Sequence, residues 1–348
     1  MQHTKNTLIL WLFVLSAFPT ACVESPPTAV IEDVEDWYSL YFSAPTGPKA
    51  DTQRNGPDAA LAAAIDSARV SVDAAIYDLN LWSIRDALID AHRRGVVVRV
   101  VAESDNLDRD EIQDLIKEGI EVLGDRRESL MHNKFVVIDR YEVWTGSMNF
   151  TLNGAYHNDN HLIRIRSSRL AEDYRIEFEE MFLLDLFGET FIANTPFPLI
   201  NIDGTSIEVL FSPDDGTQSR LVELIHQAEE SIHLLAFAFT ADPIADALLD
   251  AHRRGVDVVG VVETSQASGT GGDFFRLVDA GMALELDGNP KNMHHKAIII
   301  DGEIVALGSY NLSRSAEERN DENTLIIHNS SIANLFLSEF ERIYEMRQ

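Results

Sequence analysis

Residues 87–96 read ALIDAHRRGV, and residues 247–256 read ALLDAHRRGV. The two copies differ at a single position and lie 160 residues apart, so the chain carries an internal repeat. DAHRRG is itself a helix ending, with arginines near the last carbonyls and Gly95 or Gly255 as the stop. An apolar, strand-like run precedes each copy (Val70 to Ile76, and Ile232 to Phe239). Another follows each, Val96 to Ala102 and Val256 to Val262. Strand–helix–strand occurring twice predicts an α/β protein of two homologous lobes, each a mostly parallel or mixed sheet flanked by helices.

Outward from this repeat the correspondence continues at an offset of 162, as a two-residue loop insertion produces. EFEEMF from Glu177 matches EFERIY from Glu339, each in an amphipathic closing helix. Pro196, Pro198 and Gly204 punctuate the junction, which places lobe 1 at 37–198 and lobe 2 at 199–348. Residues 22–36 are rich in Pro and acid and read as a flexible tether.

The opening residues read as an address. His3 and Lys5 precede an apolar run from Leu8 to Phe18, too short to span a bilayer and suited to the core of a signal peptide at 1–21. Cys22 is the one cysteine in the chain and falls where a bacterial lipoprotein is cleaved and acylated. Pro19 departs from the usual leucine of such a site, while Ala21 fits its small-residue requirement. Secretory cleavage near Ala21 is the alternative; a cysteine without a disulfide partner favours lipidation. Export is expected either way, with a lipid anchor in a bacterial cell envelope as the favoured destination.

The chain has 348 residues, enough for two cores of ordinary size, and 45% of them are hydrophobic. Its charge is unusual, with 57 acidic against 28 basic residues, a net −29. A field of that sign disfavours nonspecific attraction to nucleic acid or to anionic lipid surfaces, and it also serves solubility.

In the first half, His132-x-Lys134-x4-Asp139 is followed by Gly146-Ser147-Met148-Asn149, and in the second, His294-x-Lys296-x4-Asp301 by Gly308-Ser309-Tyr310-Asn311. One such spacing arises by chance; two, at matching places in a repeat, do not. On a strand, residues two apart share a face, so each histidine points with its lysine. The apolar residues that follow, Phe135 to Ile138 and Ala297 to Ile300, bury that strand. An imidazole and an ammonium presented together from a buried strand are costly unless an anion meets them there, and a phosphate diester fits. Asp139 and Asp301 fall on the opposite parity and are expected to orient neighbouring groups. His92, His252 and the paired arginines of DAHRRG read as helix-end residues, His295 as structural or rim, and Trp82 and Trp144 as core or pocket wall. No His and Asp cluster with metal-ligand spacing stands out, and neither metal nor cofactor is expected.

These residues resemble the phospholipase D superfamily over essentially the whole mature chain. HNKFVVIDRYEVWTGSMNFT is similar to the compact bacterial endonuclease branch, and FSPDDGT from Phe211 to the phospholipase and cardiolipin-synthase branches. The resemblance implies two α/β lobes packed with pseudo-twofold symmetry around one shared active site. It implies that one histidine attacks phosphorus, forming a phosphohistidine, while the other protonates the departing alcohol and then activates water. His132, Lys134, Asp139, His294, Lys296 and Asp301 are the implied catalytic set. Asn149 and Asn311, with the lysines, are implied to hold the nonbridging oxygens, and Ser147 and Ser309 to add hydroxyl donors. Glu322 matches the family's carboxylate behind a catalytic histidine, whereas Asn160 occupies the equivalent place in the first half. The two histidines are therefore expected to differ in basicity; family habit points to His132 as the nucleophile.

The expected function is hydrolysis or transfer of phospholipid head groups by a monomer held at the membrane through its lipid anchor. Acidity and anchor favour a lipid over a polyanion. A nuclease acting on DNA or RNA is the alternative, carried by the endonuclease-like first half. A lipid-anchored binding protein without catalysis is a third reading, disfavoured by two intact His-Lys pairs.

Overall fold

Both DAHRRG segments end helices, Trp82–Arg93 and Asp242–Arg254, with Gly95 and Gly255 at φ of +89° and +94° just beyond. Arg94 and Arg254 reach back 3.1 Å to the carbonyls of Ile65 and Ile225, in the last turn of the preceding helix. The computed structural model describes residues 30–34, 37–47, 50–190 and 193–347. The signal segment and Cys22 lie outside the described residues.

Lobe 1 contains β1 (Val30–Val34), β2 (Tyr38–Phe42), β3 (Ser71–Ile76), β4 (Val97–Ala102), β5 (Glu121–Gly124), β6 (Lys134–Ile138), β7 (Glu142–Gly146) and β8 (His161–Arg166). Lobe 2 contains β9 (Leu199–Ile202), β10 (Thr205–Ser212), β11 (Ser231–Ala236), β12 (Asp257–Val262), β13 (Ala283–Leu286), β14 (Lys296–Ile300), β15 (Ile304–Gly308) and β16 (Glu322–His328). The first sheet runs β1-β2-β8-β7-β6-β3-β4-β5 and the second, read from its other edge, β9-β10-β16-β15-β14-β11-β12-β13. The repeat is thus a repeat of topology. Among the strand ladders of the described residues, those joining β3, β4 and β5, and β11, β12 and β13, are parallel and the others antiparallel. Each parallel step is made through a helix, as a same-direction return requires: β3 to β4 and β11 to β12 through the DAHRRG helices, β4 to β5 through Asp110–Lys117 and β12 to β13 through Phe274–Asp279.

Residues 30–34 correct one boundary. They are β1, antiparallel to β2 and at the sheet edge, so these five residues belong to the sheet and not to the tether. The two extra residues of lobe 2 fall between β12 and β13, where Thr264–Ala267 and Phe274–Asp279 stand in for Ser104–Asn106 and Asp110–Lys117. Trp82 is 68% exposed and stands on the wall of an open pocket with Asp58 and Leu152, its indole donating to Glu111, whereas Trp144 is core.

The closing helices, Ser168–Leu184 and Ser330–Glu345, cover the inner faces of the sheets. One continuous apolar core joins the lobes, including Phe135, Tyr174, Phe211, Ile299 and Phe336. Separate outer cores lie beneath the DAHRRG helices. Each fully buried aromatic contributes about 2–3 kcal/mol, so the shared core fixes the lobes rigidly against each other. That rigidity lets residues of one lobe position those of the other.

Candidate active site

β6 and β14 are central strands, buried along their whole length, as their unbroken apolar runs require. The residues that enter them cross to the other lobe. Met131 forms a parallel bridge with Asp321, and Met293 one with Asp159. His132 N–H donates to the Asp321 carbonyl at 3.0 Å, and His294 N–H to that of Asp159 at 2.8 Å. Each histidine is therefore tied by its backbone to the opposite lobe.

The side chains cross in the same way. His132 Nδ1 lies 2.7 and 2.8 Å from the carboxylate oxygens of Glu322, in lobe 2. His294 Nδ1 lies 2.9 Å from Asn160 Oδ1 and 3.1 Å from the Ser147 carbonyl, both in lobe 1. A carbonyl only accepts, so His294 carries its proton on Nδ1, and Nε2 is the nitrogen left for chemistry. Glu322 as carboxylate fixes the same tautomer on His132. His132 is close enough to be one of the charges that lower His294.

Lys134 and Lys296 are 1% and 3% exposed. Each ammonium donates to the carbonyl of its own histidine, at 2.6 and 2.8 Å, and sits 4.7 Å from an aromatic ring, Tyr77 or Phe237. The same two rings meet His132 and His294 edge-on. Burial pushes Lys134 down to about 7, against the pull of Glu322, Asp78 and Glu103. Burial, and then Lys134, hold Lys296 well below the usual ammonium range. Both imidazoles are held well below their ordinary value by burial first and by the lysines next. Burial pushes Glu322 up to about 8, opposed by Lys134 and the Ser309 hydroxyl. The site is a concentration of buried donors, an environment in which a nearby anion favours the charged forms.

Some expected roles change. Ser147 donates to Asn160 at 2.8 Å, and Ser309 accepts the Asn323 N–H at 3.0 Å beside Glu322, whose charged form it favours, so both serines brace the groups behind the histidines instead of facing a phosphate. A Cβ on Gly146 or Gly308 would lie 2.3 or 2.2 Å from the carbonyl oxygen of His161 or Asn323, which explains the glycine of each Gly-Ser-x-Asn segment. Asn149 and Asn311 are half-buried, their Oδ1 atoms enclosed without a partner. Among the described residues no group of three or more His, Cys, Asp or Glu is placed to hold a metal ion.

Asp139 and Asp301 orient neighbouring groups, as their parity predicts, and stand away from the catalytic set that the resemblance implies. Each stands past the far end of β6 or β14, about 17 Å along the strand from the lysine. Asp139 accepts from the N–H groups of Arg69, Val70 and Ser71 at 2.7–3.1 Å, pinning the entry to β3. Asp301 does the same for Glu229, Glu230 and Ser231 at 2.8–3.0 Å before β11. Burial raises Asp301, but these three donors outweigh it and hold its carboxyl below the usual range. Asp139→Ala is expected to cost about 1–3 kcal/mol in chemical denaturation, with kcat unchanged. A loss of kcat in fully folded protein would return Asp139 to the catalytic set.

The sequence reading missed Tyr77 and Phe237, although they recur at the 160-residue offset and end matching strands. It missed Asp159 and Asp321, which recur at 162, tie the entries to β14 and β6 through their backbones and pair with Arg342 and Arg127. His295 is structural, as expected, but its place is the lobe interface, with Nδ1 3.0 Å from that of His161 and Nε2 against Glu339.

Comparison with known proteins follows the same lines. A family described as cardiolipin synthase, PLD-like domain, matches residues 61–182 and 221–344, one match per lobe. A phospholipase D of Rickettsia bellii is 30% identical over 162 residues, covering 45% of this chain and 81% of that protein. A mitochondrial cardiolipin hydrolase of Chlamydomonas reinhardtii is 31% identical over 128 residues, 37% of this chain; the chain spans 57% of that protein's length. The solved phosphatidylserine synthase of Haemophilus influenzae shares the fold at 14% identity, with a TM-score of 0.66 over 92% of this chain and 88% of that one. With both lobes matched and both His-Lys pairs brought to one site, the chain belongs to the phospholipase D superfamily, as a two-lobed member of its PLD-like family.

Proposed function

We propose that this protein is a phosphodiesterase that hydrolyses, or transfers, phospholipid head groups through a phosphohistidine on His132. The observation that carries the mechanism is the crossed pair of Nδ1 contacts, Glu322 to His132 and Asn160 to His294. A carboxylate stabilises the positive charge that a phosphorylated imidazole carries, whereas an amide fixes orientation alone. His132 Nε2 attacks phosphorus, the bond to the leaving oxygen breaks, and His294, charged as the imidazolium beside the bound phosphate, gives its Nε2 proton to that oxygen. Water then attacks phosphorus, its proton passes to His294 Nε2, and the N–P bond to His132 breaks. Lys134 and Lys296, with the amide groups of Asn149 and Asn311, stabilise the nonbridging oxygens.

A lipid substrate is supported by the names of the relatives, cardiolipin hydrolase and phospholipase D, and by the net charge of −29, which opposes a polyanion. Export and acylation of Cys22, as the leader sequence indicates, would put the enzyme beside such a substrate. The test is a parallel assay on phosphatidylcholine, phosphatidylglycerol and cardiolipin vesicles and on plasmid DNA. Head-group release is expected, undiminished by EDTA because lysines and histidines supply the charge and the protons. Plasmid degradation with inert vesicles would overturn the lipid reading and leave the nuclease.

A further inference from the structure

Glu103 and Glu263 follow directly on β4 and β12 and are 1% and 2% exposed. Neither stands in the His-Lys-Asp or Gly-Ser-x-Asn segments, yet they recur at the repeat offset with the same contacts. Glu103 Oε2 accepts the N–H of Met131 at 2.8 Å, and Oε1 that of Asp105 at 3.2 Å. Glu263 Oε2 accepts the N–H of Met293 at 2.7 Å, and Oε1 that of Ser265 at 3.1 Å. Met131 and Met293 are the residues immediately before the catalytic histidines. A buried carboxyl is costly to keep at a strand end where an apolar residue would pack, and here it is kept twice.

The connectivity says what these carboxyls do. In sheet order β3 separates β4 from β6, and β11 separates β12 from β14. Each glutamate therefore reaches across the end of an intervening strand to hold the backbone that enters the catalytic strand. The backbone N–H groups of Glu103 and Glu263 donate to Ile76 and Ala236, anchoring both residues to that same intervening strand. The same methionines carry the bridges to Asp321 and Asp159, so each catalytic entry is fixed from its own lobe by a glutamate and from the other by a backbone ladder. Glu103 also faces Lys134, and Glu263 faces Lys296, each favouring the charged ammonium.

We propose that Glu103 and Glu263 are positioning residues that fix the backbone ahead of His132 and His294 and thereby set where the two imidazoles meet phosphorus. The proposal rests on the phosphodiesterase reading for its kinetic part only. Displacing a catalytic group by about 1 Å costs on the order of 10²-fold in rate. Glu103→Leu, which removes the acceptor, is expected to lower kcat by about 10²-fold with KM little changed. Glu103→Gln, which keeps an acceptor oxygen for Met131, is expected to recover most of that loss. Glu103→Asp, a milder change that retains the charge but shortens the reach, is expected to fall between them and guards against misfolding of the leucine variant.

The second readout needs no substrate. In full-length protein labelled with ¹⁵N at the imidazoles, Glu103→Leu is expected to shift or broaden the ring signals of His132 while sparing those of His294, and Glu263→Leu to do the reverse. A role confined to stability would lower Tm and leave both the imidazole signals and kcat per folded molecule unchanged, and that result would overturn the proposal. Absence of turnover in the wild type on every phosphodiester would sink the functional reading, while the imidazole signals would still decide the positioning role.

Discussion

His294→Ala is expected to stop the reaction cycle halfway. The variant lacks both the acid that protonates the leaving oxygen and the base that activates water, so turnover of an alkyl phosphodiester should fall by about 10⁴-fold or more. With bis-p-nitrophenyl phosphate the first half survives, because p-nitrophenolate departs without a proton. A stoichiometric burst of p-nitrophenolate should appear and then stall, leaving acid-labile phosphorus on the protein. Rapid quench followed by peptide mapping should place that phosphorus on His132. His132→Ala should give no burst and no labelled protein, with activity lower by about 10⁶-fold, the scale on which removal of an enzymic nucleophile acts. A burst in His132→Ala with phosphorus on His294 would reverse the assignment of roles.

The assignment leans on contacts between lobes, and these are what the sequence conceals best. Both His-Lys pairs, the helices ending in DAHRRG and the two-lobed plan were legible because a repeat states each of them twice. Repetition shows that a position matters without showing why. Asp139 and Asp301 recur as faithfully as the histidines, yet they cap a turn at the other end of the strand. Ser147 and Ser309 recur too, and they brace the groups behind the catalytic nitrogens. Distinguishing such roles requires knowing which end of a strand faces the cleft, which spacing alone does not supply.

Other features were hidden for compositional reasons. Glu103 and Glu263 are two of 57 acidic residues, and nothing local separates a buried carboxyl from an exposed one. The stretch VIEDV at Val30–Val34 alternates weakly and follows a Pro- and acid-rich segment, so it reads as tether; an edge strand needs only one neighbour. That Glu322 serves the first histidine and Asn160 the second follows from docking, which brings the entry of β16 against Met131 and that of β8 against Met293. The repeat makes the two halves nearly equal, and docking turns one carboxylate-for-amide exchange into a difference between two catalytic imidazoles.

That difference sets the second large effect. Glu322→Gln is expected to lower kcat by about 10²–10⁴-fold, because the amide retains a contact to Nδ1 but no longer offsets the charge that develops on His132. Asn160→Ala should cost only about tenfold, since His294 Nδ1 keeps the Ser147 carbonyl 3.1 Å away and a retained hydrogen bond preserves the tautomer. The pH profile separates charge from geometry. While the Glu322 carboxyl holds a proton it donates to Nδ1, and the remaining ring proton sits on Nε2, where it blocks attack. Losing that proton returns the ring proton to Nδ1 and frees Nε2. With burial holding Glu322 up to about 8, kcat/KM of the wild type on bis-p-nitrophenyl phosphate, whose leaving group needs no proton from His294, should rise with pH toward that value. Glutamine does not titrate, so the rising limb of Glu322→Gln should be set by His132 itself, which burial and the lysines hold well below 6.5. Both enzymes keep Lys134 and Lys296, whose titration acts on the falling limb, so the comparison isolates the rising one. An acid-ward displacement of that limb, together with a lower plateau, is the expected outcome. An unmoved limb would mean that the carboxylate behind His132 does not govern the nucleophile, and that the two halves are equivalent after all.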